Sequence, residues 1–162
     1  MKPGLIPRLL LIAMGLCTGP QVQAAEPIGL LRAFETGTVI FDTAHNNCIR
    51  LNVWFANTPE QQRQGLMFIK RLDEFEGMLF RYPRDAVIRM WMKNTFIPLD
   101  MLFIDAGNRI SSIETHTEPM SERIISSRKP VRAVLELNAG SAGRWGLQSG
   151  RRLLLVDSRD TG

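Results

Sequence analysis

Cysteine is nearly absent: the 162-residue chain has two, Cys17 and Cys48. Cys17 lies in an N-terminal stretch that reads as a cleavable leader, so processing would leave Cys48 alone. On that reading the mature domain has no internal disulfide and is held by core burial. Cys48 is then either a small buried hydrophobe, the favoured reading because apolar strand residues follow it, or a free thiol. Long apolar runs are missing as well. Leu9 to Leu16 is an uncharged apolar stretch of eight residues, followed closely by Gly19. It is well short of the roughly 20 residues that span a bilayer. No block of like charge occurs. Arg63, Lys70, Arg71, Arg81, Arg84, Arg89 and Lys93 are scattered, which argues against nucleic acid or a membrane surface as partner. There is no Gly-x-Ser-x-Gly elbow, and no serine sits in an activating context. No glycine-rich phosphate loop opens a helix; Gly140-Ser141-Ala142-Gly143 reads as a plain strand-to-helix connection. Internal repeats and low-complexity segments are also absent.

What is present begins with the leader. Lys2 and Arg8 form a positive start, Leu9 to Leu16 an apolar centre, and Val22-Gln23-Ala24 places small residues at −3 and −1 of a cleavage site. Residues 1–24 are therefore expected to be a signal peptide and the protein to be exported, to the periplasm or beyond, with no membrane association after cleavage. Removing them leaves 138 residues, with eighteen basic against sixteen acidic side chains, so the mature net charge is +2 rather than +4. That length suits one domain with a real core. The expected organisation is a loosely ordered entry at 25–36, a β-rich domain at 37–158 and a tail at 159–162.

Short apolar runs alternate with turn residues every 8–12 positions, the pattern of an antiparallel β domain. Cys48 to Ala56 is the clearest strand: Ile49, Leu51, Val53 and Phe55 share one face, and Arg50, Asn52 and Trp54 the other. Further strands are expected at Val39–Phe41, Met78–Tyr82, Ala86–Met92, Met101–Asp105, Arg109–Thr115, Val131–Leu137 and Arg152–Asp157. Gly107-Asn108 supplies a hairpin turn, and Ser121 to Pro130 reads as a loop. Thr58-Pro59-Glu60-Gln61 carries agreeing helix-start signals: a capping Thr, Pro at the first helical position, an acid in the first turn and Gln to complete a capping box. The helix should run from Pro59 to Gln64 and end at Gly65. Ala139 to Trp145 can form one or two more helical turns. The fold class is thus α+β: mostly antiparallel β, a distorted or half-closed barrel of about eight short strands with two short helices, since closure protects strand edges.

The densest signal is Met90-Trp91-Met92-Lys93-Asn94-Thr95-Phe96-Ile97-Pro98-Leu99-Asp100-Met101. Together with Thr58-Pro59-Glu60 through Gly65-Leu66-Met67, Gly77-Met78-Leu79-Phe80 and Val134-Leu135-Glu136-Leu137-Asn138-Ala139-Gly140, it resembles the family known as domain of unknown function 192, an uncharacterised ancient conserved region. These blocks span nearly all of the mature chain. The resemblance implies one compact β-rich domain, often exported, and no reaction, ligand or catalytic residue. Where the family often carries an aromatic residue after Gly140, this chain has Ser141, with Trp145 nearby.

Trp91, Lys93, Asn94, Asp100 and Glu136 are the candidate ligand-binding residues. If they converge, Lys93 supplies charge, Asn94 a bifunctional amide, and the carboxylates acceptors or a proton relay. The competing interpretation is structural: a buried Lys93–Asp100 or Lys93–Glu136 pair closing one end of a barrel. Trp91 and Lys93 share a face if the strand continues through them, and Asp100 would then face back across the loop to Lys93. Two functions follow. One is a non-enzymatic module binding a small molecule, glycan or protein through the Trp91–Asp100 region. The other is an extracytoplasmic enzyme using Lys93, Asp100 and Glu136 for acid–base work. His45, Cys48, His116 and Met120 raise copper handling as a lesser alternative. Of the methionines at 67, 78, 90, 92, 101 and 120, however, most sit within apolar strands, as core filler does. No resident metal or cofactor is expected.

Overall fold

The computed structural model describes residues 29–43 and 48–156. The expected leader, His45 and the expected tail lie outside the described residues. Among the described residues nine strands form: β1 (Glu35–Asp42), β2 (Cys48–Ala56), β3 (Glu76–Ala86), β4 (Arg89–Met90), β5 (Leu99–Ile104), β6 (Ile110–Glu114), β7 (Ile125–Ser126), β8 (Val131–Asn138) and β9 (Leu153–Val156). Two short α-helices, α1 (Pro59–Gln64) and α2 (Ser141–Arg144), join them, with a 3-10 turn at Gly29–Leu31. No described helix is long and apolar enough to cross a membrane.

Seven strands form one sheet in the order β6-β5-β8-β3-β2-β1-β9, while β4 and β7 pair separately. Five of the six neighbouring pairs are antiparallel; β2 and β3 run parallel. A parallel pair needs a crossover, and residues 57–75, containing α1, provide it. The sheet curls into a half-barrel. At one end its edges touch: Arg109 bridges Arg152, and Ile110 and Arg151 share a backbone hydrogen bond of 2.9 Å.

Alternation along the strands sorts the apolar side chains into two cores. Val39, Phe41, Leu51, Phe55, Leu79, Leu102, Ile110, Leu135 and Leu153 fill one, to which all seven strands contribute, so this is the barrel interior. The other lies on the outer face of the central four strands. There Trp54, Met78, Phe80, Met101 and Val134 meet Leu66, Ile69 and Leu72 from one loop and Ile88, Met90 and Met92 from another. The middle of the sheet is therefore buried on both sides.

The β2 and α1 boundaries match the sequence expectation residue for residue, and so does the capping box, in which Thr58 Oγ1 accepts from the Gln61 N–H and Gln61 Oε1 from the Thr58 N–H. Three expectations are corrected. The strand foreseen at Ala86–Met92 is broken: β3 runs on to Ala86, β4 holds only Arg89 and Met90, and Trp91 and Met92 lie outside any strand. The loop at Ser121–Pro130 contains β7, whose Ile125 and Ser126 pair with Met90 and Arg89. Cys48 is disulfide-bonded rather than alone; the contrary expectation rested on counting cysteines after removal of the leader. Of the entry segment, residues 29–36 are packed: Leu31 and Phe34 are buried, and the side-chain amides of Gln61 and Gln64 donate to the carbonyls of Ala33 and Leu30.

Candidate functional site

Glu136 lies near the end of the central strand β8. Its neighbours Leu135 and Leu137 point into the barrel, so Glu136 faces outward, with Met78 of β3 and Met101 of β5 in register beside it. It is 4% exposed. Among the described residues its carboxyl group has no hydrogen bond or ion pair, and burial alone pushes its pKa up, from 4.5 to about 8. At neutral pH it is a protonated acid, both donor and acceptor. Tyr82, four residues along β3 from Met78 and on the same face, is raised to about 12, by burial first and then by the nearby Glu136 charge. Its hydroxyl donates to Met90 Sδ at 3.7 Å.

Above these two groups a cleft of about 350 Å³ opens to solvent, with Phe80, Tyr82 and Glu136 at its floor. One wall is α1 with Gly65–Met67; the other is the segment from Arg89 to Thr95. The first wall buries no side chain of α1. Polar bonds hold it instead: Gln62 Nε2 donates to the carbonyls of Ala56 and Arg81 at 3.3 and 2.9 Å, clamping the helix across β2 and β3. Gly65, at φ +50°, ends α1 where a Cβ would lie 3.2 Å from the Phe80 ring. The second wall turns sharply. The Thr95 N–H donates to the Met92 carbonyl, and Asn94 adopts a left-handed φ of 55°. A 2.9 Å bond from the Phe68 N–H to the Asn94 carbonyl ties the walls together.

Three cations border the cleft: Arg63, Arg89 and Lys93. Arg63 pairs with Glu60 at 2.9 Å and Lys93 with Glu122 at 3.4 Å, both on the surface. The Lys93 ammonium also stands 5.4 Å from the centre of the Trp91 ring, which is 44% exposed. Arg89 has no ion pair among the described residues.

Of the residues expected from the sequence, Trp91, Lys93 and Glu136 therefore meet at one cleft. Asn94 flanks it, its amide 3.9 Å from Met67 Sδ. Asp100 does not join them. On β5 it alternates with Leu99 and Met101, which face the outer core, so it points into the barrel with Leu102. It is fully buried and accepts from the N–H groups of His116 and Ala142 at 3.0 and 2.9 Å. The expected Lys93–Asp100 pair does not form. The chain reverses at Met92–Thr95, ahead of Pro98, and this early turn sends Lys93 to Glu122.

Sequence reasoning missed Tyr82, Arg63 and Arg89. The first carried a usable signal: it is the single tyrosine of the chain, in phase with Met78 and Phe80 on an alternating strand. The two arginines carried none, because helix α1 and strand β4 meet only in the tertiary structure.

A β-rich half-barrel with a solvent-open cleft over a buried acid defines a class by architecture rather than by chemistry. The chain belongs to the family of domain of unknown function 192, an uncharacterised ancient conserved region, which it matches over residues 40–155. Among solved structures, a protein from Sinorhizobium meliloti 1021, provisionally described as a transcription regulator, is 43% identical at a TM-score of 0.74, covering 75% of this chain and 95% of its own. A protein of unknown function from Novosphingobium aromaticivorans DSM 12444 is 29% identical at a TM-score of 0.74, covering 85% and 99%. No curated protein matches the chain.

Proposed function

We propose that this protein is an exported small-ligand-binding module whose site is the cleft over Glu136. One observation carries the reading: a buried carboxyl group without a partner faces an open cavity. Burying such a group costs several kcal/mol when nothing pairs with it. A strand that served only the fold would place an apolar residue there, as it does at Leu135 and Leu137. Unpaired polar groups in clefts are where ligands supply the missing partner. The volume lies at the small end of ligand sites, which favours a small molecule over a glycan chain or a protein segment. The check is a nuclear magnetic resonance screen of the protein against a fragment library. Hits are expected to shift the Trp91 indole and the backbone amides of Leu66 and Met67, and to weaken at least tenfold in Glu136→Leu. Hits that leave these resonances unmoved would defeat the reading.

A specific observation supports a second reading. An acid whose pKa lies near 8 is suited to proton transfer at neutral pH, and Lys93 borders the same cleft. An enzyme built here works without Asp100. Turnover of a bound ligand, abolished in Glu136→Gln while binding persists, would decide for it. A nucleic-acid partner, which the description of the Sinorhizobium protein would suggest, is not adopted, because the cations here are scattered and interleaved with carboxylates.

Export rests on the leader pattern Lys2 to Ala24. Mass spectrometry of the exported protein is expected to find Ala25 at the N-terminus; retention of residues 1–24 would overturn the assignment.

A further inference from the structure

We propose that the cleft selects a small organic anion, held by its charged group among Arg63, Arg89 and Lys93 at the mouth and by a neutral hydrogen-bond acceptor against Glu136 and Tyr82 at the floor. This deepens the binding reading above and rests on it.

Charge sets the sign of the ligand. Three of the side chains lining the cleft are cationic, and Glu136 is the one carboxyl group among them. Glu136 lies at the floor, where burial keeps it neutral at ordinary pH, so the mouth is not offset from below. Tyr82 beside it is neutral as well. A cleft with an apolar, low-dielectric wall focuses such a field and raises the local concentration of counter-ions. Leu66 and Met90 provide that wall, above the apolar Phe80 ring at the floor.

The cations are also available. Arg89 is exposed and has no ion pair to break. The partners of the other two, Glu60 and Glu122, are solvent-facing and do not line the cleft. Exposed pairs of this kind contribute little, because water screens them, so a ligand anion can replace them at little cost. A guanidinium offers an anion two parallel donors, which a surface ammonium does not.

Chemistry at the floor sets the other end of the ligand. A protonated carboxyl and a phenol are donors whose preferred partner is an acceptor: a carbonyl, ether or hydroxyl oxygen. An ammonium group on the ligand would have to pass three cations and then ionise Glu136 against its burial. The mouth therefore disfavours cations by like-charge repulsion, and the floor by the cost of ionising a buried acid.

The test uses three probes of one shape: 4-acetamidobenzoate, its neutral primary amide and the matching benzylammonium. Each is titrated into the protein at pH 6.5 and low salt, with the Trp91 indole and the Leu66 and Met67 amides as reporters. The carboxylate is expected to bind at least tenfold more tightly than either isostere. Arg89→Gln should weaken the carboxylate at least fivefold and leave the amide unchanged. If the neutral or cationic probe binds these resonances as tightly as the carboxylate, the anion assignment fails while the binding reading stands. If fragments of a broad library reach the cleft and the carboxylate does not, the assignment fails likewise. If nothing reaches the cleft, both fall.

Discussion

Glu136→Gln is expected to remove most of the pH dependence of stability between pH 5 and pH 8. The folded-state pKa of Glu136 is raised from 4.5 to about 8 by burial. In the unfolded chain the group loses its proton near its ordinary value. Between those limits the native state holds a proton that the unfolded state has released, so stability falls as pH rises. The stabilisation is complete below about pH 4.5 and is lost progressively up to pH 8, reaching about 5 kcal/mol for a shift of this size. Tyr82 on β3 is neutral throughout this range, and Glu136 is the one carboxyl group lining the cleft. Gln keeps the shape and cannot ionise. Urea unfolding at several pH values should show the wild type weakening steadily and the variant weakening much less, with the remaining slope owed in part to Glu76, whose pKa burial also raises; the variant should be the more stable at pH 8. Parallel profiles for the two proteins would mean that Glu136 is solvated or paired in solution. The reading of Glu136 as an unpaired, buried acid at the cleft floor would then be wrong.

The second large effect belongs to Asp100 and has nothing to do with ligand binding. Its two carboxylate oxygens accept from the N–H of His116, beyond β6, and from the N–H of Ala142, in the first turn of α2. His116 is held at a left-handed φ of 51° there. A four-residue helix cannot satisfy its own leading N–H groups, and α2 has no side-chain cap from its N-cap residue, Gly140. Asp100 supplies that acceptor from β5, the strand beside β8. Asp100→Ala leaves the buried Ala142 N–H and the half-buried His116 N–H without acceptors; at about 1–3 kcal/mol for the buried donor and less for the other, a total loss of about 2–4 kcal/mol is expected. Asp100→Asn keeps one acceptor but turns an N–H₂ toward the other donor, so it should lose about half as much. Denaturant midpoints for the three proteins provide the measurement. An Asp100→Ala protein within about 1 kcal/mol of wild type would show that water replaces the carboxylate without penalty.

These two carboxylates show where a sequence stops informing. Asp100 and Glu136 look equivalent in the sequence: each is an acid inside an apolar run, in a block shared with the family. Strand phase separates them. Asp100 falls on the inner phase of β5 and Glu136 on the outer phase of β8, so one becomes a backbone anchor and the other a cleft floor. Phase relative to a sheet has no meaning until the sheet's two faces are assigned, and that depends on which strands pair. The broken strand at Trp91–Met92 is a similar case. Its apolar pattern suits continuation, but β7 pairs with only Arg89 and Met90, and the turn closed by Thr95 onto Met92 takes over.

The sequence by itself determined the elements whose causes are local. Alternation from Ile49 to Ala56 made β2; Thr58, Pro59 and Gln61 made and capped α1; Asp105 with Gly107 and Asn108 made the β5–β6 hairpin. It also determined that the chain would be a β-rich half-barrel, because many short alternating strands must hide their edges. Only the tertiary structure decided the parallel pairing of β2 with β3, the placement of α1 opposite Arg89–Thr95, and hence the cleft. Those arrangements depend on contacts between segments far apart in the chain, whose energies come from burial and hydrogen bonds that no local pattern encodes.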